Sequence, residues 1–200
     1  MIRDIAFILA GYAAGSILFA KVFCSLLKKT DVAKNTKDNN PGTSNAFKNG
    51  GILCGALTLV CDVTKGFLPV FFYTRKEVTF LLALVIAAPV IGHVFSVFNG
   101  FRGGKGIATT FGCLFGLFPN LIPFAIFAGT FVFFSFILKI NPHFHRTLVT
   151  YFFTELQIVI FAGNLIVCAG FSFILAAVFI RFLTSKEKKP PLEVKPIWIR

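Results

Sequence analysis

Five long apolar stretches occupy most of the chain and limit what it can fold into. A transmembrane helix needs about 20 predominantly apolar residues, and each stretch reaches that length. The stretches are Ile5–Leu27, Ile52–Tyr73, Val78–Phe98, Ile107–Leu138 and Leu148–Leu183. The chain is 56% hydrophobic, with 28 Phe residues and a mean hydropathy of +0.81, above the usual composition of soluble domains. The pattern predicts an all-α fold, a polytopic helical bundle embedded in a membrane.

The number of membrane crossings depends on the last two stretches, which are longer than one span requires. The first of them is interrupted at Pro119, Asn120 and Pro123, and the second at Gly163 and Asn164. Each stretch could be one tilted span or a tight hairpin of two short helices. Pro-Asn and Gly-Asn are turn signals, so they favour hairpins. Seven transmembrane helices are therefore predicted, with five as the alternative.

Lysine and arginine in the short loops predict the orientation, because cytoplasmic loops are enriched in both residues. Three basic segments fall on one side in either count: Lys28–Gly51, Asn99–Gly106 and the C-terminal tail. We expect these segments in the cytoplasm and the N-terminus outside, although Arg75 and Lys76 then lie outside. Residues 1–185 are predicted to form one membrane-embedded domain, and residues 186–200 a cytoplasmic tail.

Composition narrows the possible partners. The net charge of +12 is compatible with binding to nucleic acid, to an anionic membrane surface or to anionic substrates. The hydropathy argues against nucleic acid, and the positive-inside rule alone already accounts for a basic excess. The five cysteines lie scattered in apolar stretches without a C-x-x-C spacing, which predicts small core residues and no metal site.

A first polar loop could bind an anion. Gly42 allows a tight backbone turn, and short polar side chains surround it just before an apolar stretch. Backbone N–H groups in such a turn form an anion site, to which a nearby lysine adds charge. The alternative is an ordinary helix N-cap. The residues concerned are Asn40, Gly42, Thr43, Ser44, Asn45 and Lys48.

A second loop, Phe101–Gly106, holds three glycines and two cations in six residues. Arg102, Gly103, Gly104 and Lys105 could together surround a cluster of anionic oxygens. The loop is not a P-loop, because the residue after Lys105 is a glycine where that motif has Ser or Thr. The alternative is a basic turn that anchors on lipid headgroups.

Asp62, Lys65 and His93 stand inside apolar stretches, where charge is costly and often functional. Asp62 and Lys65 are three residues apart, so they share a helix face and can neutralise each other. They could orient a neighbouring loop or form a purely structural pair. His93 could accept a proton near neutral pH, or act as a helix–helix hydrogen-bond partner.

Together these features resemble one family, the bacterial acyl-phosphate:glycerol-3-phosphate acyltransferases of the PlsY type. The resemblance covers about residues 11–112, and the run Phe-Arg-Gly-Gly-Lys-Gly-Ile-Ala-Thr downstream of Asn-Pro-Gly is its most specific part. The matching segments are Gly15–Ile17, Asn40–Ala46, Asp62 with Lys65–Gly66, Gly92–His93 with Phe95, and Phe101–Thr109.

The resemblance implies a seven-helix enzyme of the plasma membrane, a monomer with its active-site loops in the cytoplasm. It implies acyl transfer from an acyl phosphate to the 1-hydroxyl of glycerol 3-phosphate, the first step of phospholipid synthesis, without metal or other cofactor. His93 and Lys105 would be catalytic, His93 as base or positioner. Asp62 and Lys65 would orient the site. Both loops would bind substrate, through Asn40, Gly42, Thr43, Ser44, Asn45, Lys48, Arg102, Gly103, Gly104 and Lys105.

The chain also departs from the family pattern. Asp38 stands where the family has Ser, and Lys34 is the nearest substitute for an Arg. Near the C-terminus, Leu175 and Val178 replace a His and an Asn, whereas Arg181, Leu183 and Glu187 fit the pattern. The chain is interpreted as a divergent member. Two alternatives remain: a non-catalytic homologue that binds phosphate or lipid, and a small anion transporter, which the broken apolar stretches would suit.

Overall fold

The structure is a computed structural model that describes residues 1–27, 32, 40–185 and 191–197. Within these residues the chain is mostly helical, with eight α-helices and one pair of short β-strands. The α-helices are α1 (Ile2–Ser16), α2 (Phe19–Leu26), α3 (Thr43–Thr74), α4 (Leu82–Val94), α5 (Ile107–Phe115), α6 (Ile122–Val132), α7 (His143–Phe161) and α8 (Leu165–Thr184). The strands are β1 (Leu138–Asn141) and β2 (Glu193–Pro196).

Both of the longest apolar stretches are broken at their turn signals. Residues 116–121 separate α5 from α6, and residues 162–164 separate α7 from α8. Pro123 lies in the first turn of α6, where a helix needs no backbone N–H from it. Asn164 caps α8, because its side-chain oxygen accepts hydrogen bonds from the N–H groups of Ile166 and Val167. The two predicted breaks are confirmed.

Three helical segments among the described residues are long and apolar enough to cross a membrane. They are α3, α8 and Leu82–Asn99, which joins α4 to a short 3₁₀ turn. The helices α1 and α2 reach the required length only together, and they are bent by 43° at the break between them. They raise the count to four if the bent pair is one span. The chain is therefore a helical bundle with the apolar spans of a membrane protein.

The helix α3 begins earlier than the apolar pattern indicates, at Thr43 instead of Ile52. Gly42 precedes it in an extended conformation, and its carbonyl accepts the N–H groups of Asn45 and Ala46. The helix bends at Gly51, whose φ of +84° lies in the left-handed region that favours glycine. The polar turn and the apolar span are therefore two segments of one element.

The helix α4 is the centre of the bundle. Nearly all of its side chains are buried, and α1, α3, α5 and α8 pack around it. Glycines allow helix backbones to approach closely, as is common in membrane proteins. A Cβ atom added at Gly15 would collide with the carbonyl of Pro89, and one at Gly92 would collide with the carbonyl of Tyr12.

The pairing of β1 with β2 was not predicted from the sequence. The strands are antiparallel, with Leu138 opposite Pro196 and Asn141 opposite Glu193. Asn141, the last residue of β1, precedes a proline, which favours an extended backbone at Asn141. A purely helical prediction is therefore incomplete, because β2 joins the predicted tail to the connection between α6 and α7.

The crossing of α3 and α5 can be tested at Gly112. A Cβ atom there would collide with the carbonyl of Val63, so Gly112→Ala should lower the free energy of unfolding by about 1–3 kcal/mol. An added Cβ at Gly129 on α6 has no atom within 4 Å, so Gly129→Ala should be neutral or slightly stabilising. Thermal unfolding of the purified variants in detergent measures the difference. Equal midpoints for the two variants would contradict the crossing.

Candidate functional site

The first polar loop, around Gly42, and the second loop, Phe101–Gly106, are joined by a chain of buried polar contacts. Thr43 of the first loop points its hydroxyl at Asp62 Oδ2, 3.5 Å away, and Asp62 Oδ1 forms an ion pair with Lys65 Nζ at 2.7 Å. Lys65 Nζ lies 2.9 Å from His93 Nδ1. The His93 carbonyl accepts the N–H of Gly104 in the second loop at 3.0 Å. Loops about 60 residues apart in sequence are therefore connected through one buried polar cluster.

The Lys65 ammonium is the centre of this cluster. It also donates a hydrogen bond to the Ile17 carbonyl at 2.7 Å and lies 5.5 Å from the centre of the Phe19 ring. Asp62, Lys65 and His93 are exposed to only 1%, 5% and 3%. A buried charge is tolerated when it is paired and hydrogen-bonded, and Lys65 meets both conditions. Asp62 and Lys65, which are three residues apart, therefore form the ion pair that their spacing allows.

The imidazole of His93 faces Lys65 on one side and the second loop on the other. An ammonium group can only donate, so His93 Nδ1 must accept and the ring hydrogen belongs on Nε2. Nε2 faces Gly104, where an added Cβ atom would collide with it. A Cβ atom at Gly103 would collide with the His93 carbonyl. The two glycines are therefore required for the loop to lie against His93.

The second loop is anchored at its start as well as against His93. The N–H of Phe101 donates to the Ser96 carbonyl at 2.8 Å, and Lys21 of α2 donates to Asn99 Oδ1 at 2.7 Å. Gly100 and Phe101 both have positive φ, +61° and +57°. A positive φ is rare for a residue such as Phe101, so this backbone is held by its surroundings.

A small pocket lies beside the second loop and is lined in part by Lys105. Lys105 is 8% exposed, and its Nζ lies 5.5 Å from the centre of the Phe144 ring on α7. Arg181 of α8 donates to the Gly103 carbonyl at 3.3 Å. The pocket thus combines two cations with a largely apolar wall. Its lining residues are Val94, Lys105, Phe144, Thr147, Leu148, Val178, Arg181 and Phe182.

The first loop forms the N-terminus of α3. The side-chain amide of Asn45 donates to the Asn40 carbonyl at 2.8 Å, and both residues are buried. The N-cap residue Gly42 has no side chain, so the first backbone N–H groups of α3 are not capped from there. Ser44 is exposed beside this turn. This arrangement keeps backbone donors at the positive end of a helix dipole.

The remaining predicted residues are either exposed or outside the part of the chain that the structure describes. Lys48 and Arg102 are exposed, unlike the buried Lys105. Lys34, Asp38 and Glu187 lie outside the described residues.

No site residue on α7 or α8 was predicted from the sequence, although Arg181 was matched to the family pattern. Phe144 and Thr147 of α7 line the pocket, and Arg181 contacts the loop backbone. Val178, which stands where the family pattern has Asn, is part of the pocket wall, whereas Leu175 packs against the main core. No local motif marks Phe144 or Thr147, since their role depends on a fold that places α7 beside a loop about 40 residues earlier.

The family model and the relatives that match this sequence carry the same description. Residues 5–188 match the family model described as "Glycerol-3-phosphate acyltransferase". A protein of that name from Endomicrobium trichonymphae is 39% identical over 136 residues, covering 66% of this chain and 68% of the relative. Another, from Proteus mirabilis (strain HI4320), is 41% identical over 108 residues, covering 54% of this chain and 49% of the relative. The matched segments thus span about half to two thirds of these relatives.

Two solved structures share the fold. Both are crystal structures of PlsY (YgiH), described as an integral membrane glycerol 3-phosphate acyltransferase. The glycerol 3-phosphate form superposes with a TM-score of 0.73 and 26% identity, covering 89% of this chain and 87% of that chain. The lysophosphatidic acid form gives a TM-score of 0.71 with the same identity and coverage.

The buried ion pair predicts an asymmetry between single and double variants. Asp62→Asn leaves the Lys65 ammonium buried without its counter-charge, so it should lower the free energy of unfolding by about 3–5 kcal/mol. Asp62→Asn combined with Lys65→Met removes both charges and should cost less than Asp62→Asn alone. Glu193→Gln, in an exposed pair with Lys195, is the control and should leave the thermal midpoint unchanged. A double variant less stable than Asp62→Asn would contradict this account.

Proposed function

The chain belongs to the glycerol-3-phosphate acyltransferase family, and we propose that it transfers the acyl group of an acyl phosphate to the 1-hydroxyl of glycerol 3-phosphate at the site between the first polar loop and the second loop. Acylation of glycerol 3-phosphate in phospholipid synthesis is the activity of this family and of its named homologues. The observation that carries the proposal is the convergence of the two loops on the Asp62–Lys65–His93 cluster. The products are lysophosphatidic acid and inorganic phosphate.

The proposed reaction mainly requires the protein to hold its two substrates in the correct relative position. An acyl phosphate is a mixed anhydride, so its carbonyl carbon is already activated. The hydroxyl oxygen of glycerol 3-phosphate bonds to that carbon, the bond between the carbon and the phosphate oxygen breaks, and the hydroxyl proton passes to the departing phosphate. The protein has to hold two phosphates near each other and stabilise the oxyanion that develops on the carbonyl oxygen. A site with two separate groups of anion-binding donors fits this task.

We assign one phosphate to each loop region. Lys105 and Arg181 bind the phosphate of the donor, because both cations line a pocket whose other walls are largely apolar and can contact acyl carbons. The first turn of α3, around Gly42, Thr43 and Ser44, binds the phosphate of the acceptor. The exposed Lys48 and Arg102 attract both anions to the site.

His93 acts as a positioning residue in this proposal. Its Nδ1 accepts from Lys65, so its Nε2 carries the ring hydrogen and cannot accept a proton. What supports positioning is the contact of the ring with Gly104 and the hydrogen bond from Gly104 N–H to the His93 carbonyl. Asp62 and Lys65 hold the imidazole in this orientation. Lys105 is the residue that we expect to contact substrate.

A binding protein without turnover is the second candidate. Val178 gives the pocket an apolar wall where the family pattern has Asn, and this observation favours it. Such a protein would bind glycerol 3-phosphate and acyl phosphate but would release no lysophosphatidic acid. The acyltransferase ranks first because the loops, the buried cluster and Lys105 are all present together.

For the membrane arrangement we propose seven spans in the plasma membrane, with the N-terminus outside and the C-terminus in the cytoplasm. The bent pair α1–α2 is then one span, α3, α4, α7 and α8 each supply one, and the short helices α5 and α6, of 9 and 11 residues, form the remaining hairpin. The basic loops around Gly42 and Lys105, together with Arg181 and β2, would face the cytoplasm. We also propose that the protein is a monomer.

The activity test uses purified protein with acyl phosphate and labelled glycerol 3-phosphate. The wild-type chain should form labelled lysophosphatidic acid, and Lys105→Ala should lower kcat/KM by roughly 100-fold or more, since it removes the buried cation of the pocket. Lys76→Ala is the matched control, because Lys76 is exposed after the far end of α3 and should keep full activity. A wild-type chain that forms no product beside a working family enzyme would refute the acyltransferase. Substrate binding without product would then favour the second candidate.

Sidedness is tested with a membrane-impermeant maleimide on intact cells. Lys76→Cys should be labelled without permeabilisation, and Lys195→Cys only after it, since both positions are exposed in the fold. Cells that contain the wild-type chain serve as the control for labelling of the native cysteines. Labelling of both variants in intact cells would place the two segments on the same side and contradict the proposed topology.

A further inference from the structure

Tyr151 on α7 contributes a fully buried hydroxyl to an otherwise aromatic part of the core. Its ring lies 5.2 Å from Phe127 and 5.7 Å from Phe171, measured between ring centres. Phenylalanine would fill that space equally well, so packing alone does not require the hydroxyl. The hydroxyl lies 2.7 Å from Thr110 Oγ1 on α5, 41 residues earlier in the chain.

The direction of this hydrogen bond follows from the geometry at Thr110. The Thr110 hydroxyl donates its only hydrogen to the Gly106 carbonyl at 2.9 Å. Thr110 Oγ1 must therefore accept from Tyr151, whose hydroxyl is the donor. The result is a buried relay in which each hydroxyl polarises the next and strengthens the bond to the carbonyl of Gly106.

Gly106 is the point at which the second loop enters α5. Its φ of +76° lies in the left-handed region, and its carbonyl also accepts the N–H of Thr110 at 2.8 Å. On the other side of Lys105, the N–H of Gly104 is bonded to the His93 carbonyl at 3.0 Å. The backbone of Lys105 is thus fixed from both directions, by α4 before it and by the Tyr151 relay after it.

We propose that Tyr151 is a positioning residue for acyl transfer, acting through Thr110 and Gly106 to set where the Lys105 side chain enters the pocket. The inference rests on the proposed function of Lys105 in binding the donor phosphate. Tyr151 itself does not line the pocket beside Lys105 and Arg181, so its effect on the reaction passes through the loop backbone. A displacement of a catalytic side chain by about 1 Å can cost up to roughly 100-fold in rate.

The test is Tyr151→Phe, which removes only the hydroxyl, assayed with acyl phosphate and labelled glycerol 3-phosphate. Tyr73→Phe is the matched control, because Tyr73 is another fully buried tyrosine and donates to Asp4 at the opposite end of α3. We expect Tyr151→Phe to lower kcat/KM about tenfold, with a thermal midpoint no lower than that of Tyr73→Phe. Tyr73→Phe should keep wild-type kinetics. Equal kcat/KM for Tyr151→Phe and the wild type would overturn the inference.

A second set of variants tests the relay itself. Thr110→Ser keeps the hydroxyl and should retain activity, whereas Thr110→Val removes it and should lower kcat/KM at least as much as Tyr151→Phe. Because the two hydroxyls act in series, the double variant Tyr151→Phe/Thr110→Val should be no more than about twofold worse than Thr110→Val alone. A double variant whose loss equals the product of the single losses would overturn the relay.

The outcomes separate this inference from the function on which it rests. An active wild-type chain in which Tyr151→Phe behaves like Tyr73→Phe would refute the positioning role and leave the acyltransferase intact. A wild-type chain without activity beside a working family enzyme would refute both.

Discussion

The buried Lys65 ammonium is the interaction on which the site depends. It contacts three acceptors from three parts of the chain: Asp62 Oδ1 on its own helix, His93 Nδ1 on α4 and the Ile17 carbonyl. The Ile17 carbonyl is accessible because the helix breaks there, with Ile17 in an extended conformation. The bend between α1 and α2 therefore supplies an acceptor that a continuous helix would have used internally. Removing this charge would leave the bend, the His93 ring and Asp62 without their common partner.

Small residues bring this cluster into close contact with the second loop and with α5. Gly103 and Gly104 allow the second loop to lie directly on His93, and Gly66, one residue after Lys65, allows α3 to meet α5 at the Thr109 carbonyl. Close contact between backbones leaves little room for adjustment, so a shift in the cluster would move the loop that contains Lys105. The opposite side of that loop is held by Thr110 and Tyr151, which belong to a different set of helices.

The sequence predicted the parts of this fold that local chemistry determines. Apolar runs located the helical segments, and Pro and Gly-Asn signals located the two breaks, because both depend on residues that are neighbours in sequence. The strand pair β1–β2 and the pocket wall from α7 and α8 were not predictable in this way, since they depend on contacts between segments far apart. Lys48 was grouped with Lys105 by charge and proximity to glycine, yet only Lys105 is buried in a pocket. Burial, which separates the two lysines, is a property of tertiary structure.

Leu175 and Val178 are the apolar residues of α8 that stand where the family pattern has His and Asn. They are compatible with a site that acts mainly by positioning its substrates. Val178 adds a wall that an acyl chain can contact, while the same helix keeps Arg181 one turn later, bonded to the Gly103 carbonyl. A mixed anhydride needs less help from a protein base than an ester or amide does, because phosphate is already a good leaving group. In the proposed reaction, a pocket with apolar residues at these positions of α8 and two cations next to a fixed loop makes fewer contacts to substrate but can still stabilise the departing phosphate. On this argument the rigidity of the Lys105 backbone, set by His93 on one side and Tyr151 on the other, matters more to this chain than the number of polar groups in its pocket.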